Sequence, residues 1–196
     1  MKQLIKNQKF SVFDDLFSES NINHINLYLQ HAFWEHPYSP DGVHGTSKEF
    51  RHDIVYNNCV DWIFTYAKKL AEVDFCSGWK DCTLTHCFYP RGSKSSWQSN
   101  KNFKAIMYFF VHPNWRFNWG GELLVGQTPP NPNHEEKAYC DNKWHNDHLN
   151  HFGTGIYVTP KSNRCVVVPG EEWHKISEIS DDAGENRLLF FKVLFY

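Results

Sequence analysis

From Trp79 to Tyr196 the apolar positions fall into short runs cut by glycine, proline and polar turns: TLTHCFYP, FKAIMYFFVH, GELLVGQ, GIYVTP, RCVVVPG, HKISEI and RLLFFKVLFY. Seven runs of strand length with such breaks predict an antiparallel sandwich or barrel. The texture ahead of them differs. SVFDD reads as a strand-like piece, followed by Ser18 or Ser20 as a helix cap. Ile22, Ile25, Leu27 and Leu29 then fit one helical face. SPDGVHGTSKEFRHD is a loop by its Pro, Gly and Ser content. NCVDWIFTYAKKLAEV predicts a second helix, with Val60, Ile63, Tyr66, Ala67 and Leu70 along one stripe. Residues 127–152 break the strand rhythm. Their prolines, asparagines and charges mark a long loop, a form used for lids, binding loops and disordered segments.

Composition narrows this picture. The chain has 196 residues and 23.2 kDa, which suits a single domain. Residues 1–78 form its helical support and residues 79–196 its barrel, giving a mainly β fold with N-terminal helices. Sixteen Phe, nine Tyr and eight Trp favour sheets and deep pockets over a helical bundle. The net charge of −2 carries no basic footprint for nucleic acid or a membrane surface. MKQLIKNQKFSVFDD lacks the apolar core of a signal peptide, and no stretch approaches a membrane span. Six cysteines contain no C-x-x-C pair and read as thiols in a reducing compartment. The expectation is a soluble, cytoplasmic protein, with no pattern that fixes its oligomeric state.

Four segments, in order, resemble the prolyl-4-hydroxylase-like branch of the Fe(II)/2-oxoglutarate-dependent oxygenases. CFYPRGSKSSW looks like the strand and glycine turn before the first metal-ligand pair, and AIMYFFVHPNWRFNWGGELLV like the following strand, tryptophan turn and Gly-Gly strand. PKSNRCVVVPGEEWHKISEI resembles the segment presenting the distal histidine, and NRLLFFKVLFY the last strand. The resemblance implies a double-stranded β-helix, the jelly-roll or cupin-like barrel. It implies Fe(II) and 2-oxoglutarate as cofactors, with decarboxylation to succinate and insertion of one oxygen atom into substrate. His174 takes the distal-ligand role, Arg187 grips the far carboxylate of 2-oxoglutarate, and Tyr89 lies near that co-substrate.

The chain departs from the pattern at two places. Gln98 and Asn100 fill the His-x-Asp slots, where residues two apart on a strand share a face. Two amides lack both the negative charge and the imidazole of a facial triad. Phe110 stands where many relatives place a tyrosine on 2-oxoglutarate.

Plainer readings stand beside these roles. His174 also fits a polar surface turn, Tyr89 an ordinary barrel aromatic, and Arg187 a salt bridge to Asp181 or Asp182. HNDHLNH carries His145, Asp147, His148 and His151, with His134 upstream; it fits a solvated lid, or a rival source of metal ligands.

Three functions follow. The first is a hydroxylase acting on a small molecule, sugar or peptide side chain through a non-standard metal site. The second is an inactive oxygenase-fold binding module, a pseudoenzyme. The third is a non-redox cupin-like enzyme with His174 as base. Whether the chain is an enzyme stays open at the level of sequence.

Overall fold

The structure is a computed structural model. It describes residues 1–7, 9–31, 34–35, 45–47, 54–73, 78–95, 97–126 and 155–196. Four strands and two helices come first: β1 (Lys2–Lys6), β2 (Ser11–Asp14), α1 (Glu19–His31), β3 (Trp34–Glu35), β4 (Gly45–Ser47) and α2 (Ile54–Val73). Then come β5 (Cys82–Tyr89), β6 (Ala105–Phe110), β7 (Leu123–Gly126), β8 (Gly155–Val158), β9 (Arg164–Pro169), β10 (His174–Ile176) and β11 (Leu188–Phe195). All seven strand-length runs of the sequence are therefore strands.

The strands form two antiparallel sheets, one of eight strands in the order β1-β2-β9-β6-β11-β5-β4-β3 and one of three in the order β10-β7-β8. The large sheet has two apolar faces. Toward the helices, Phe109, Phe191, Val193 and Phe195 meet Ile25, Leu29, Ile63 and Leu70. Toward the small sheet, Tyr108, Phe110, Phe190 and Val166 meet Leu123, Val125 and Ile176. A strand covered on both sides needs apolar residues at every position, and β6 is buried throughout. Phe and β-branched residues suit that double burial.

The helices differ from expectation in detail. Ser18 caps α1, its Oγ accepting from the Asn21 amide at 3.2 Å. Ile22, Ile25 and Leu29 are buried, but Leu27 is 53% exposed. It falls one residue off the buried stripe, whose place is taken by Tyr28. The sheet also begins before residue 79. β2 pairs with β9, and β4, inside the segment read as a loop, pairs with β5. Arg164 ties β2 to β9 through a bidentate pair with buried Asp14, at 2.7 and 2.9 Å.

Gly170 sets the distance between the two ends of the future site. The Asn100 amide donates to its carbonyl at 2.7 Å, and its own amide donates to Lys104. A Cβ here would overlap the Phe103 carbonyl oxygen. Only glycine allows residues 98–104 to lie this close to the β9–β10 turn.

Candidate functional site

The segment before β6 is where the sequence placed a metal-binding pair. Gln98 and His174 form an isolated antiparallel bridge, each backbone amide donating to the other's carbonyl at 2.9 and 3.0 Å. Opposed residues in such a pair present their side chains on one face. The structure thus brings Gln98 beside His174.

His174 is fully buried. Its Nδ1 lies 2.8 Å from the Glu172 carbonyl oxygen. A carbonyl only accepts, so Nδ1 carries the proton and Nε2 keeps its lone pair in the neutral ring. Burial pushes the imidazole down to about 4, with the nearby Lys192 charge acting in the same direction and the Glu172 hydrogen bond opposing. Nε2 has no hydrogen-bond partner among the described residues. The surface-turn reading of His174 is corrected: the GEEWHK loop begins at the surface, but β10 carries its histidine into the interior.

Asn100 does not join it. Its side chain is exposed, and its Oδ1 accepts from the Asn102 backbone amide at 2.9 Å. That local turn is a common use of asparagine. The alternation that should have aligned Asn100 with Gln98 fails because the chain leaves extended pairing after Gln98 and turns at 101–103.

Arg187 also lies elsewhere. It shares parity with Leu189, Phe191, Val193 and Phe195, as expected, but that face of β11 meets the helices. The exposed guanidinium sits 5.3 Å from the Phe88 ring centroid. It lines a surface cleft of about 290 Å³ with Leu29, Asn114, Glu185 and Asn186. Among the described residues it makes no ion pair with Asp181 or Asp182. The expectation that it faces the interior with His174 is therefore corrected. Tyr89 does face the interior, in the same apolar cluster as Phe110, with its ring 5.2 Å from Phe190.

Two interior groups were not singled out from sequence. Tyr108 lies on the same face of β6 as Phe110, its ring 5.7 Å from His174. Its hydroxyl is buried and has no hydrogen-bond partner among the described residues. Burial holds its ionisation well above the usual tyrosine range, so it is a neutral donor. Lys192 stands directly opposite Tyr108 on one side and Thr85 on the other. Its Nζ is 3.5 Å from Gln98 Oε1. Burial lowers its pKa, against the opposing influence of Cys87. It makes no ion pair with any described carboxylate. Either residue could have been noticed: Lys192 is the one charge in LLFFKVLF, and Tyr108 the one hydroxyl in AIMYFF.

These positions test the fit of Fe(II). A ferrous triad needs two nitrogens and a carboxylate converging on one point. Here one imidazole nitrogen faces the interior, one amide oxygen faces an ammonium, and the second amide caps an outer turn. No group of three His, Cys, Asp or Glu residues suited to a metal occurs among the described residues. Among the described residues, this donor set does not complete a ferrous triad. His134, His145, Asp147, His148 and His151 lie outside the described residues.

No protein-family model matches the sequence, and no curated protein matches it. Solved structures do. A Pseudomonas putida prolyl-4-hydroxylase has a TM-score of 0.66 at 10% identity, over 95% of this chain and 91% of that one. A Trichoplax adhaerens prolyl hydroxylase, bound to a hypoxia-inducible-factor peptide, has a TM-score of 0.64 at 11% identity, over 96% and 83%. HygX from Streptomyces hygroscopicus, with nickel and 2-oxoglutarate bound, has a TM-score of 0.63 at 10% identity, over 95% and 82%. The chain has the double-stranded β-helix fold of the 2-oxoglutarate oxygenases, in its prolyl-hydroxylase-like form. Among the described residues, no helix is long and apolar enough to cross a membrane.

Proposed function

We propose that the protein is a binding module on the oxygenase fold, taking a small carboxylic acid of the 2-oxoglutarate type into the interior without a metal ion. The observation that carries this reading is Lys192, an interior ammonium that makes no ion pair among the described residues, beside Gln98. Buried charges and buried hydroxyls normally have partners. Lys192 Nζ, the Tyr108 hydroxyl and the Gln98 amide together offer donors for one carboxylate. His174 Nε2 offers the complementary acceptor, suited to a hydroxyl or other proton-bearing group on the same ligand. The apolar walls from Phe110, Phe190 and Val125 exclude water around these few polar groups, as small-molecule sites commonly do.

An oxygenase using Fe(II) and 2-oxoglutarate is the second reading, favoured by His174 itself. A neutral imidazole with Nδ1 held by a carbonyl and Nε2 unpartnered is oriented as metal ligands are. The remaining ligands would then come from the 127–152 segment, with His145, Asp147 and His148 first in line. Mn(II) titration, together with succinate release from 2-oxoglutarate, separates the readings. A binding module shows neither tight metal nor turnover, whereas an oxygenase shows both.

A further inference from the structure

Glu185 and Arg187 are opposite charges that the fold brings to one place without pairing them. Both line the surface cleft of about 290 Å³ ahead of β11, and neither makes an ion pair among the described residues. The backbone explains how the cleft forms. The Val111 amide donates to the Leu189 carbonyl at 3.0 Å, so the chain beyond β6 runs alongside the turn that leads into β11. Pro113 and Asn114 thereby reach the same cleft as Asn186 and Arg187, and Leu29 of α1 adds an apolar wall.

Two of the polar groups are held in place. The Arg187 guanidinium lies 5.3 Å from the Phe88 ring centroid. A guanidinium seated on an aromatic face keeps its edge N–H donors for another partner. Asn186 Nδ2 donates to the Ala183 carbonyl at 2.7 Å, which leaves the side-chain oxygen as an acceptor. The cleft therefore offers a planar donor fork, a carboxylate, an amide acceptor and the apolar surfaces of Leu29, Pro113 and Leu189.

We propose that this cleft binds a free α-amino acid with an apolar side chain. The α-carboxylate pairs with Arg187, a geometry that suits bidentate contact. The α-ammonium meets Glu185 and the Asn186 side-chain oxygen, and the side chain lies against Leu29 and Leu189. A zwitterion answers both charges at once. A simple acid leaves Glu185 without a cation, and a simple amine leaves Arg187 without an anion. Size points the same way, because ligand pockets run from about 300 to 1,000 Å³ and this cleft sits at the small end. Leu189 belongs to the face of β11 that meets the helices, so the site is separate from the His174 interior and does not depend on the function proposed for it. Both charges are exposed and screened, so the expected Kd is on the order of 1 mM.

The test is a proton–nitrogen NMR titration of the full-length protein with L-leucine. The expected result is saturable shifts at Asn114 and residues 185–189, with binding about fivefold weaker in Arg187→Gln and in Glu185→Gln. Two analogues make the same test without a variant: 4-methylpentanoate lacks the ammonium, and leucinamide lacks the carboxylate. Each should bind at least about fivefold more weakly than leucine. No saturable shift with leucine overturns the site. Binding of 4-methylpentanoate or leucinamide as tight as that of leucine overturns the amino-acid class. Leucine binding that is unchanged in both variants, or that shifts other residues instead, overturns the assignment to this cleft.

Discussion

Gln98 and His174 face each other across a two-way backbone bridge at 2.9 and 3.0 Å, and Lys192 Nζ reaches Gln98 Oε1 at 3.5 Å. An ammonium thus stands beside Gln98, which the sequence resemblance put in a metal-ligand slot. Two like charges a few ångströms apart repel by about 4 kcal/mol at an effective dielectric near 20. On the proposed reading, lysine and a divalent metal compete for this place.

Metal-binding variants should show that competition. Gln98→His alone should add one nitrogen beside His174 and raise Mn(II) affinity slightly. Asn100→Asp should add little, because a carboxylate at 100 will cap the same outer turn. Combining Gln98→His with Lys192→Met should raise affinity by at least tenfold over Gln98→His. Titration followed by electron paramagnetic resonance measures this; equal affinity with and without Lys192 would remove the repulsion.

The two cations on β11 and its leading turn should behave differently toward an acid ligand. Lys192→Met should weaken 2-oxoglutarate by more than tenfold. Arg187→Ala should change it by less than twofold, since that side chain lies on the helix side, over Phe88. The reverse order would put the ligand in the Arg187 cleft.

How far these assignments were legible follows from β11. Both of its faces are apolar, because the strand lies between the helices and the small sheet. Alternation correctly grouped Arg187 with Leu189 and Phe191, but nothing in a doubly apolar strand says which face meets the helices and which the small sheet. The seven strand runs were readable because each ends in glycine, proline or polar residues. Gln98, read by register at the head of the strand pattern, lies beside His174. Asn100 does not, because its position depends on a turn that Gly170 makes possible from 70 residues away. β1, β3 and β4 carried too little apolar pattern to be seen.

Gly170 gives a stability prediction that bears on the site. Gly170→Ala forces a Cβ into the Phe103 carbonyl and near that of Asn100. The expected loss is about 2 kcal/mol, or about 4–8 °C in Tm for a chain of this size. Any ligand binding that depends on Gln98 should weaken with it. An unchanged Tm would mean that the 98–104 segment moves aside freely.

Acid should destabilise the fold above the carboxylate range. Burial holds His86 at about 4, His112 at about 3 and His174 at about 4, each below the ordinary 6.5. The unfolded chain therefore binds more protons as pH falls below 6.5, so these groups favour the fold fully above 6.5 and progressively less toward 4. The loss at pH 5 should be on the order of 1–2 kcal/mol per histidine. Urea unfolding at pH 7.5 and pH 5 measures it, and a flat profile would show that these rings are hydrated.

Calorimetric titration of 2-oxoglutarate into the wild-type protein, once in excess chelator and once with Mn(II), tests the central claim most directly. A pocket served by Lys192, Tyr108 and Gln98 gives the same affinity in both, and loses it in Lys192→Met. Binding that appears only with Mn(II), or no binding in either condition, would contradict it.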